Sequence, residues 1–262
     1  MSKIVVLTGA GISAESGIKT FRDAGGLWEG HDVMEVASPE GWHANTSLVL
    51  DFYNQRRQQL LDVQPNNAHY FLARLEKEHD VHIITQNVDD LHERAGSSNV
   101  LHLHGELLKV RSTKNPALVY PWTRDLCLGD LCEERSQLRP HIVWFGEEVP
   151  LMDKAIESCL KAEIFVIIGT SMQVYPAAGL IQFAPKNIPV FFIDPKPSVP
   201  GHYPNLRVIA EKAGSGVEIL KKIFIKIIEF FRFLHIKQPL VISPPFLMRS
   251  KSSIFLSFWY GF

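Results

Sequence analysis

The sequence predicts an α/β fold with a parallel sheet, and two observations support this prediction. Short apolar runs rich in β-branched residues, at residues 3–7, 81–89, 163–171 and 188–197, are typical of strands that are buried on both faces of a sheet. A helical pattern follows the first run at residues 68–78, where the apolar residues share one face. Strand patterns that alternate with helical patterns are typical of a parallel sheet.

The first strand leads directly into a glycine-rich turn. The segment TGAGISA satisfies G-x-G-x-x-G/A through Gly9, Gly11 and Ala14. In dinucleotide-binding folds these positions allow a tight turn, close approach to a pyrophosphate and close packing of helix on strand. A plain strand–helix turn can show the same pattern. The acidic residue that a dehydrogenase carries about twenty residues further on is missing, and residues 23–30 read as a loop. The turn therefore predicts a nucleotide site that does not serve a simple hydride carrier.

Three later strands end in polar residues, namely Gln-Asn-Val-Asp at 86–89, Gly-Thr-Ser at 169–171 and Asp-Pro-Lys at 194–196. Any one of these ends could merely cap a helix. In open α/β sheets, however, ligands bind beyond the carboxyl ends of the strands. Together with the glycine turn, four such ends at one edge of the sheet favour a binding site.

Composition narrows the functional class. A chain of 262 residues with 46% hydrophobic residues suits one large domain or a large and a small one. A net charge of −1 argues against a general nucleic-acid binder. The three cysteines form no disulfide framework, and the first strand begins almost at Met1 without room for a signal peptide. We therefore expect a cytoplasmic protein of a prokaryote.

Six separated motifs occur between residue 3 and about residue 222: GAGIS, GIKTFRD, TQNVDDLHERAG, LHLHGE, LRPHIVWFGE and IGTSMQVYPAAGL. In order and spacing they resemble the sirtuins, the NAD-dependent protein lysine deacylases. The stretch AESGIKTFRDAGGLWEGHDVMEVASPEGW, with Tyr53 and Arg56, resembles the class III members of bacteria and mitochondria. The resemblance implies a Rossmann-like domain and a smaller domain formed by two insertions.

The resemblance also implies the limits of these domains. The sirtuin-type domain is expected at residues 1–222, and residues 223–262 form an extension. The large part is expected at about residues 1–28, 65–104 and 141–222. The small part is expected to combine a helical module at about 29–64 with a degenerate zinc-ribbon-like module at about 105–140.

NAD is implied by this resemblance as a co-substrate whose bond between nicotinamide and ribose is broken. The implied cofactor-binding residues are Gly9, Ala10, Gly11, Phe21, Arg22, Gln86, Asn87, Asp89, Gly169, Thr170, Ser171, Asp194 and Ala213. The amides of Ala10 and Gly11 are expected to hold phosphate, and Phe21 and Arg22 to close over the reacting ribose. The residues at 86–89 are expected to line the ribose and carboxamide pocket.

On the adenosine side the resemblance implies Gly169, Thr170 and Ser171, with Asp194 near the ribose. Sirtuins more often have Asn where Asp194 stands. A carboxylate can accept hydrogen bonds from ribose hydroxyls equally well.

His104, in the motif LHLHGE, is the expected catalytic base. A histidine titrates near neutral pH and can take a proton from a ribose hydroxyl. In the implied reaction the acyl oxygen attacks the anomeric carbon, and His104 activates the hydroxyl that then attacks the alkylimidate. His102 would share a strand face with His104, so a His-x-His metal pair is an alternative, although no third ligand stands nearby.

The second insertion lacks the residues of a zinc ribbon. Sirtuins usually carry two Cys-x-x-Cys pairs here, because tetrahedral zinc requires four ligands. In this chain residues 111–114 read Arg-Ser-Thr-Lys, and Cys127 and Cys132 stand five residues apart without a histidine in the segment. We therefore expect no metal, and expect the apolar segment ALVYPW to hold the module together.

Tyr53 and Arg56 lie three residues apart in a helical pattern at residues 44–61, so they share one face. An arbitrary pair of this kind is usually solvated. Class III sirtuins place a Tyr-x-x-Arg pair at the mouth of the acyl pocket. Arg56 is suited to bidentate binding of the carboxylate of a succinyl or malonyl group, with a further bond from the Tyr53 hydroxyl.

The extension at residues 223–262 lies outside the resemblance. Residues 222–262 carry a net charge of +5, and residues 223–234 fit an amphipathic helix. No apolar stretch reaches the roughly eighteen residues that span a bilayer. The extension is either a weak membrane-surface or partner-binding segment, or an addition without a role, such as a shifted reading frame.

Three functions are consistent with these residues. The leading one is removal of succinyl, malonyl and acetyl groups from lysine side chains of proteins, with NAD converted to nicotinamide and O-acyl-ADP-ribose. The second is ADP-ribose transfer to protein, or hydrolysis of NAD, in the same pocket. The third is a non-catalytic module that binds NAD or ADP-ribose.

Overall fold

The structure is a computed structural model that describes residues 1–19, 27–28, 30–198, 201, 203 and 205–236, with the backbone alone at 27–28 and 226–236. The strands in these residues are β1 (Lys3–Thr8), β2 (Leu27–Trp28), β3 (His31–Asp32), β4 (Asp80–Thr85), β5 (Val100–His102), β6 (Gly105–Ser112), β7 (Val119–Pro121), β8 (Leu138–Ile142), β9 (Ile164–Ile168), β10 (Val190–Ile193) and β11 (Leu206–Ile209). The α-helices there are α1 (Val33–Val36), α2 (Pro39–Ala44), α3 (Thr46–Asp62), α4 (Asn67–Leu75), α5 (Leu91–Arg94), α6 (Met152–Leu160) and α7 (Ala213–Ile236).

Six strands form one sheet in the order β11-β10-β9-β1-β4-β5. Every neighbouring pair in this sheet is parallel. The predicted parallel α/β fold is therefore confirmed, and the carboxyl ends of all six strands meet at one edge. The strands are shorter than the apolar runs, since β4 ends at Thr85 and the polar residues 86–89 lie beyond it.

Both faces of the parallel sheet are covered. Along β1, Ile4 and Val6 pack into a core with α4 and α7. The alternate residues Val5 and Leu7 pack on the other face against α6 and a 3₁₀ helix, Ala177–Phe183. This alternation is the period of two that a strand imposes, and each fully buried Val, Leu or Ile contributes about 1.5–3 kcal/mol.

A second group of elements packs around its own apolar core. Helices α1 to α3 contribute Val36, Trp42 and Phe52, and an antiparallel sheet in the order β7-β6-β8 contributes Val110 and Leu138. Helix α3 therefore lies against the second insertion. The expected limits of the two domains remain predictions.

The first strand leads into two short 3₁₀ helices, Ala10–Ile12 and Ala14–Ser16, which end at Gly17 with a φ of +98°. Farther on, α7 runs without a break through residue 222 and includes the helix expected at 223–234. Residues 237–262 lie outside the described residues. The expected role of the extension therefore stays a prediction. Within the described part of the chain, no helix is both long enough and apolar enough to cross a bilayer.

Candidate active site at the carboxyl edge of the parallel sheet

The turn after β1 interlocks with the turn after β9. The amide of Gly9 donates to Ile168 O at 3.1 Å, and the amide of Gly11 donates to Gly169 O at 2.7 Å. A Cβ on Gly11 would lie 2.7 Å from Gly169 Cα, and one on Gly169 would lie 2.2 Å from Ile12 N. Gly169 also has a φ of +64°, which glycine adopts without strain. The glycines are thus required by contact between two turns of the protein itself.

A buried polar network joins this turn to the residues after β4. Asn87 Nδ2 donates to Ser13 Oγ at 3.1 Å, and Ser13 Oγ donates to Asp89 Oδ2 at 2.9 Å. Gln86 Nε2 donates to Thr170 Oγ1 at 3.0 Å and so links the network to the turn after β9. The predicted residues at 86–89 and 169–171 are therefore brought together at one edge.

Asp89 is 6% exposed, and its carboxylate is held by two donors, Ser13 Oγ and the amide of Leu91. Burial raises the pKa of Asp89 to about 6, although both hydrogen bonds act to lower it. Water solvates this carboxylate poorly, so it is a strong acceptor for any polar hydrogen that enters the site.

His104 lies just beyond β5, half-buried, with Nδ1 3.0 Å from Gln86 O. A carbonyl oxygen can only accept, so Nδ1 carries a proton and the neutral ring keeps its lone pair on Nε2. Burial lowers the pKa of His104 below its usual 6.5, while the bond to the Gln86 carbonyl acts to raise it. The ring is therefore neutral at pH 7, as a general base must be.

His102 serves a different purpose. Its Nδ1 lies 3.1 Å from Asn87 O and its Nε2 lies 2.8 Å from Glu93 Oε1, so both nitrogens are occupied. Burial acts to lower the pKa of His102, but the hydrogen bond and charge of Glu93 raise it overall. Neither nitrogen is left to bind a metal, which removes the support for a His-x-His pair with His104.

Sequence reasoning missed three buried residues that contact the polar network or the turn before it: Ser13, His69 and His92. Ser13 is fully buried, and His69 Nε2 lies 3.5 Å from its hydroxyl. His92 Nε2 lies 3.0 Å from Thr8 Oγ1, and the two histidine rings meet edge to face at 5.0 Å. Burial lowers the pKa of His69 to about 4 and that of His92 well below its usual value. The one available signal was that Ser13 stands inside the glycine motif.

The adenosine-side residues predicted from sequence lie at the same edge but have local roles as well. Thr170 Oγ1 accepts from the amide of Met172 at 3.2 Å, and Asp194 Oδ1 accepts from the amide of Lys196 at 2.8 Å. Ala213 is buried at the first position of α7. Phe21 and Arg22 lie outside the described residues.

Tyr53 and Arg56 are not solvated surface residues. Tyr53 is 1% exposed, and its hydroxyl accepts a hydrogen bond from Trp144 Nε1 at 3.0 Å. Arg56 is half-buried, with its guanidinium carbon 5.4 Å from the centre of the Phe52 ring. The amide of Val143, next to Trp144, donates to His104 O at 2.9 Å. The segment after β8 therefore connects the Tyr53 region to the histidine.

The residues of the second insertion do not fit a structural zinc ion. Cys127 is exposed, whereas Cys132 is buried with Sγ 3.2 Å from Ser136 Oγ. Ser136 Oγ lies 2.6 Å from Ser112 Oγ, so three small polar side chains form a hydrogen-bonded cluster. Among the described residues, no three His, Cys, Asp or Glu side chains stand close enough together to hold a metal ion.

The sequence matches the Sir2 family over residues 9–176. A protein of Helicobacter pylori named as an NAD-dependent protein deacylase is 60% identical over 229 residues, which cover 87% of this chain and 97% of the relative. A protein of the same name from Bacteroides thetaiotaomicron is 52% identical over 231 residues, or 86% of this chain and 99% of the relative.

The fold is also similar to solved structures of Sir2 homologues. A Sir2 homologue in complex with ADP-ribose is 36% identical and superposes with a TM-score of 0.78, over 87% of this chain and 93% of that chain. A Sir2 homologue in complex with NAD is 37% identical, with a TM-score of 0.75 over 84% of this chain and 90% of that one.

Proposed function

The chain belongs to the Sir2 family, and we propose that it is an NAD-dependent deacylase of protein lysine. The observation that carries this proposal is the position of His104, held neutral against Gln86 O beside the Asn87–Ser13–Asp89 network. The relatives named as NAD-dependent protein deacylases support the same activity.

NAD fits the donors and acceptors at this edge. Ribose hydroxyls and a carboxamide need acceptors and donors, which Asp89, Asn87 and Gln86 supply from a largely buried position. We place the ribose and nicotinamide beside these three residues and the adenosine near residues 169–171. Bound NAD would supply the ribose that accepts the acyl group as nicotinamide leaves. The site takes NAD as a substrate, which agrees with the missing acidic clamp of a dehydrogenase.

His104 takes the proton of a ribose hydroxyl in this proposal. Its Nδ1 proton is committed to Gln86 O, so Nε2 is the atom that accepts. A fixed tautomer places the lone pair in one direction, and the hydroxyl that loses its proton then attacks the acyl carbon. Release of the amine and addition of one water molecule then give free lysine and O-acyl-ADP-ribose, nicotinamide having left in the first step.

We further propose that acidic acyl groups, succinyl and malonyl, are preferred to acetyl. The half-buried Arg56 and the buried Tyr53 offer a guanidinium and a phenol to a carboxylate on the side of the site that Trp144 connects to His104. A charge-assisted hydrogen bond contributes about 1.5–3 kcal/mol, so two such bonds together would favour an acidic acyl group by roughly 10²-fold to 10⁴-fold.

The acyl preference is tested by Arg56→Met, which keeps the apolar length of the side chain and removes its charge. We expect the KM for a succinyl peptide to rise sharply and the acetyl reaction to remain nearly intact. Arg124→Met is the matched control, because Arg124 also stacks on an aromatic ring but lies in the second insertion and is exposed. Equal loss of both activities in Arg56→Met would make Arg56 structural.

The reaction type is tested by incubating the protein with NAD, with and without an acylated peptide, and measuring nicotinamide. Release that requires the peptide supports the deacylase. Release without the peptide would identify a protein ADP-ribosyltransferase or an NAD glycohydrolase instead. Binding of NAD without release would identify a non-catalytic module.

We also propose that the protein acts in a reducing compartment, the cytoplasm of a bacterium. All three of its cysteines, Cys127, Cys132 and Cys159, are free thiols, and the relatives are bacterial. Alkylation of the native protein purified without reductant should label Cys127, the exposed thiol. A Cys127 disulfide found in cells would contradict this location.

A further inference from the structure

One hydrogen bond connects the helical insertion to the segment that follows β8. Trp144 Nε1 donates to the Tyr53 hydroxyl at 3.0 Å, and the two residues stand 91 positions apart. Trp144 is 2% exposed and Tyr53 is 1% exposed. Loss of one partner of a buried hydrogen bond leaves the other partner unsatisfied. The position of the Tyr53 oxygen therefore depends on the indole.

The indole itself is held from several sides. The backbone amide of Trp144 donates to Glu147 Oε2 at 2.8 Å, and the Arg139 guanidinium carbon lies 3.3 Å from the centre of the indole ring. The Trp42 ring packs against it with centres 5.6 Å apart. Glu147 is paired with Arg139 at 2.6 Å and with Arg111 at 3.2 Å. Trp144 thus has little freedom to turn away from Tyr53.

The direction of this bond decides what the phenol can do. An indole nitrogen is a donor only, so it occupies a lone pair on the Tyr53 oxygen. The O–H proton of Tyr53 is then directed away from the indole. Burial also raises the pKa of Tyr53, so the phenol keeps its proton at neutral pH. A phenol held in this way selects ligand atoms that accept hydrogen bonds.

We propose that Trp144 is a positioning residue for acyl selection, whose indole N–H orients the Tyr53 hydroxyl to donate to the carboxylate of an acidic acyl group. This inference rests on the proposed deacylase function and on the proposed contact of Tyr53 with the acyl group. In this proposal Trp144 acts through Tyr53.

The test is a double-mutant cycle of Trp144→Phe and Tyr53→Phe, with kcat and KM measured for a succinyl and an acetyl peptide. In the presence of Tyr53, Trp144→Phe should lower the succinyl-to-acetyl ratio of kcat/KM roughly threefold to tenfold, through KM. In the Tyr53→Phe background the same change should leave the ratio unaltered. Trp122→Phe is the matched control, since it removes an indole N–H that donates to Asp125 O in the second insertion, and it should leave the ratio unchanged.

A purely structural role for Trp144 predicts a different result. Trp144→Phe would then lower both activities equally, and by the same factor in either background, which would overturn the proposal. If Trp144→Phe does not fold, site-specific replacement of Trp144 by benzothienylalanine removes the N–H with little change of shape, and the same ratio decides. Turnover of acetyl peptide with no effect of Trp144 on the ratio overturns this inference alone. Absence of peptide-dependent nicotinamide release in the wild type overturns the deacylase function with it.

Discussion

The carboxyl edge of the parallel sheet and the second insertion, expected at about residues 105–140, are held together by different means. At the edge, backbone meets backbone: Gly11 and Gly169 approach so closely that neither position has room for a Cβ. In the insertion, Gly129 also has a positive φ, +93°, but a Cβ there would meet nothing within 4 Å. Gly11 and Gly169 therefore tolerate almost no larger residue, whereas the turn at Gly129 has room for a side chain.

The second insertion is held together by a polar cluster and by apolar contacts. It contains the cluster of Ser112, Cys132 and Ser136, in which hydrogen bonds from the two serines lower the pKa of the Cys132 thiol to about 7. Val110 of β6 and Leu138 of β8 pack into the core that the insertion shares with α3. Apolar contact with the rest of the protein therefore stabilises this module.

The largest effect is expected at the edge, from His104→Ala. Loss of a general base lowers kcat/KM by about 10²–10⁴-fold, while circular dichroism and the melting temperature should show an intact fold. His82→Ala is the control, because His82 lies in β4, away from the carboxyl edge, and pairs with Asp80. Since burial lowers the pKa of His104, the acid limb of the wild-type kcat/KM profile should lie below pH 6.5. Wild-type turnover by His104→Ala would exclude the base role.

The next largest effect is expected in the free energy of unfolding, when one glycine of each region is replaced by alanine. Gly169→Ala forces a Cβ to within 2.2 Å of Ile12 N at a φ of +64°. We expect it to lower the free energy of unfolding by more than about 3 kcal/mol, because backbone must shift. Gly129→Ala meets only the strain of its positive φ, and about 1 kcal/mol should be lost. Similar losses in urea unfolding of the two variants would mean that the site of Gly169 is not more closely packed than that of Gly129.

A smaller effect is expected from the serine cluster. Ser112→Ala removes a hydroxyl that lies 2.6 Å from Ser136 Oγ and accepts from the amide of Asn115 at 3.0 Å. Loss of this buried partner should cost about 1–3 kcal/mol in the free energy of unfolding. The control Ser98→Ala removes an exposed hydroxyl bonded to Glu76 and should cost less than about 0.5 kcal/mol. Equal costs would show that the cluster does not stabilise the insertion.

The smallest effect is expected from chelation. Because the insertion lacks a four-ligand set, EDTA should leave both deacylation and the melting temperature unchanged. Elemental analysis of the purified protein is the accompanying measurement. One zinc ion per chain would show that the cysteines, or the residues outside the described ranges, bind metal after all.

The edge of the sheet could be predicted from sequence because its signals are local. Apolar runs that end in polar residues indicate where strands stop, and a parallel sheet then brings residues 86–89 and 169–171 to one edge. The short 3₁₀ helices after Gly11 could not be predicted, since that turn is constrained by a glycine 158 positions away, Gly169. Long-range contacts of this kind leave no periodic signal in a sequence.

The supporting residues of the site were missed for the same reason. His69 contacts Ser13 over 56 positions, and Trp144 contacts Tyr53 over 91. Helical spacing placed Tyr53 and Arg56 on one face of α3. It did not show that Tyr53 is covered, because the covering residue, Trp144, lies in another segment of the chain. The roles of the predicted NAD-binding residues remain predictions.

Product analysis tests the deacylase assignment most directly. The protein is incubated with NAD and a succinyl peptide, and nicotinamide, free peptide and O-succinyl-ADP-ribose are quantified by mass spectrometry. We expect all three products in equal amounts from the wild type, and none of them above a trace from His104→Ala. Nicotinamide formed while the succinyl peptide remains intact would contradict it.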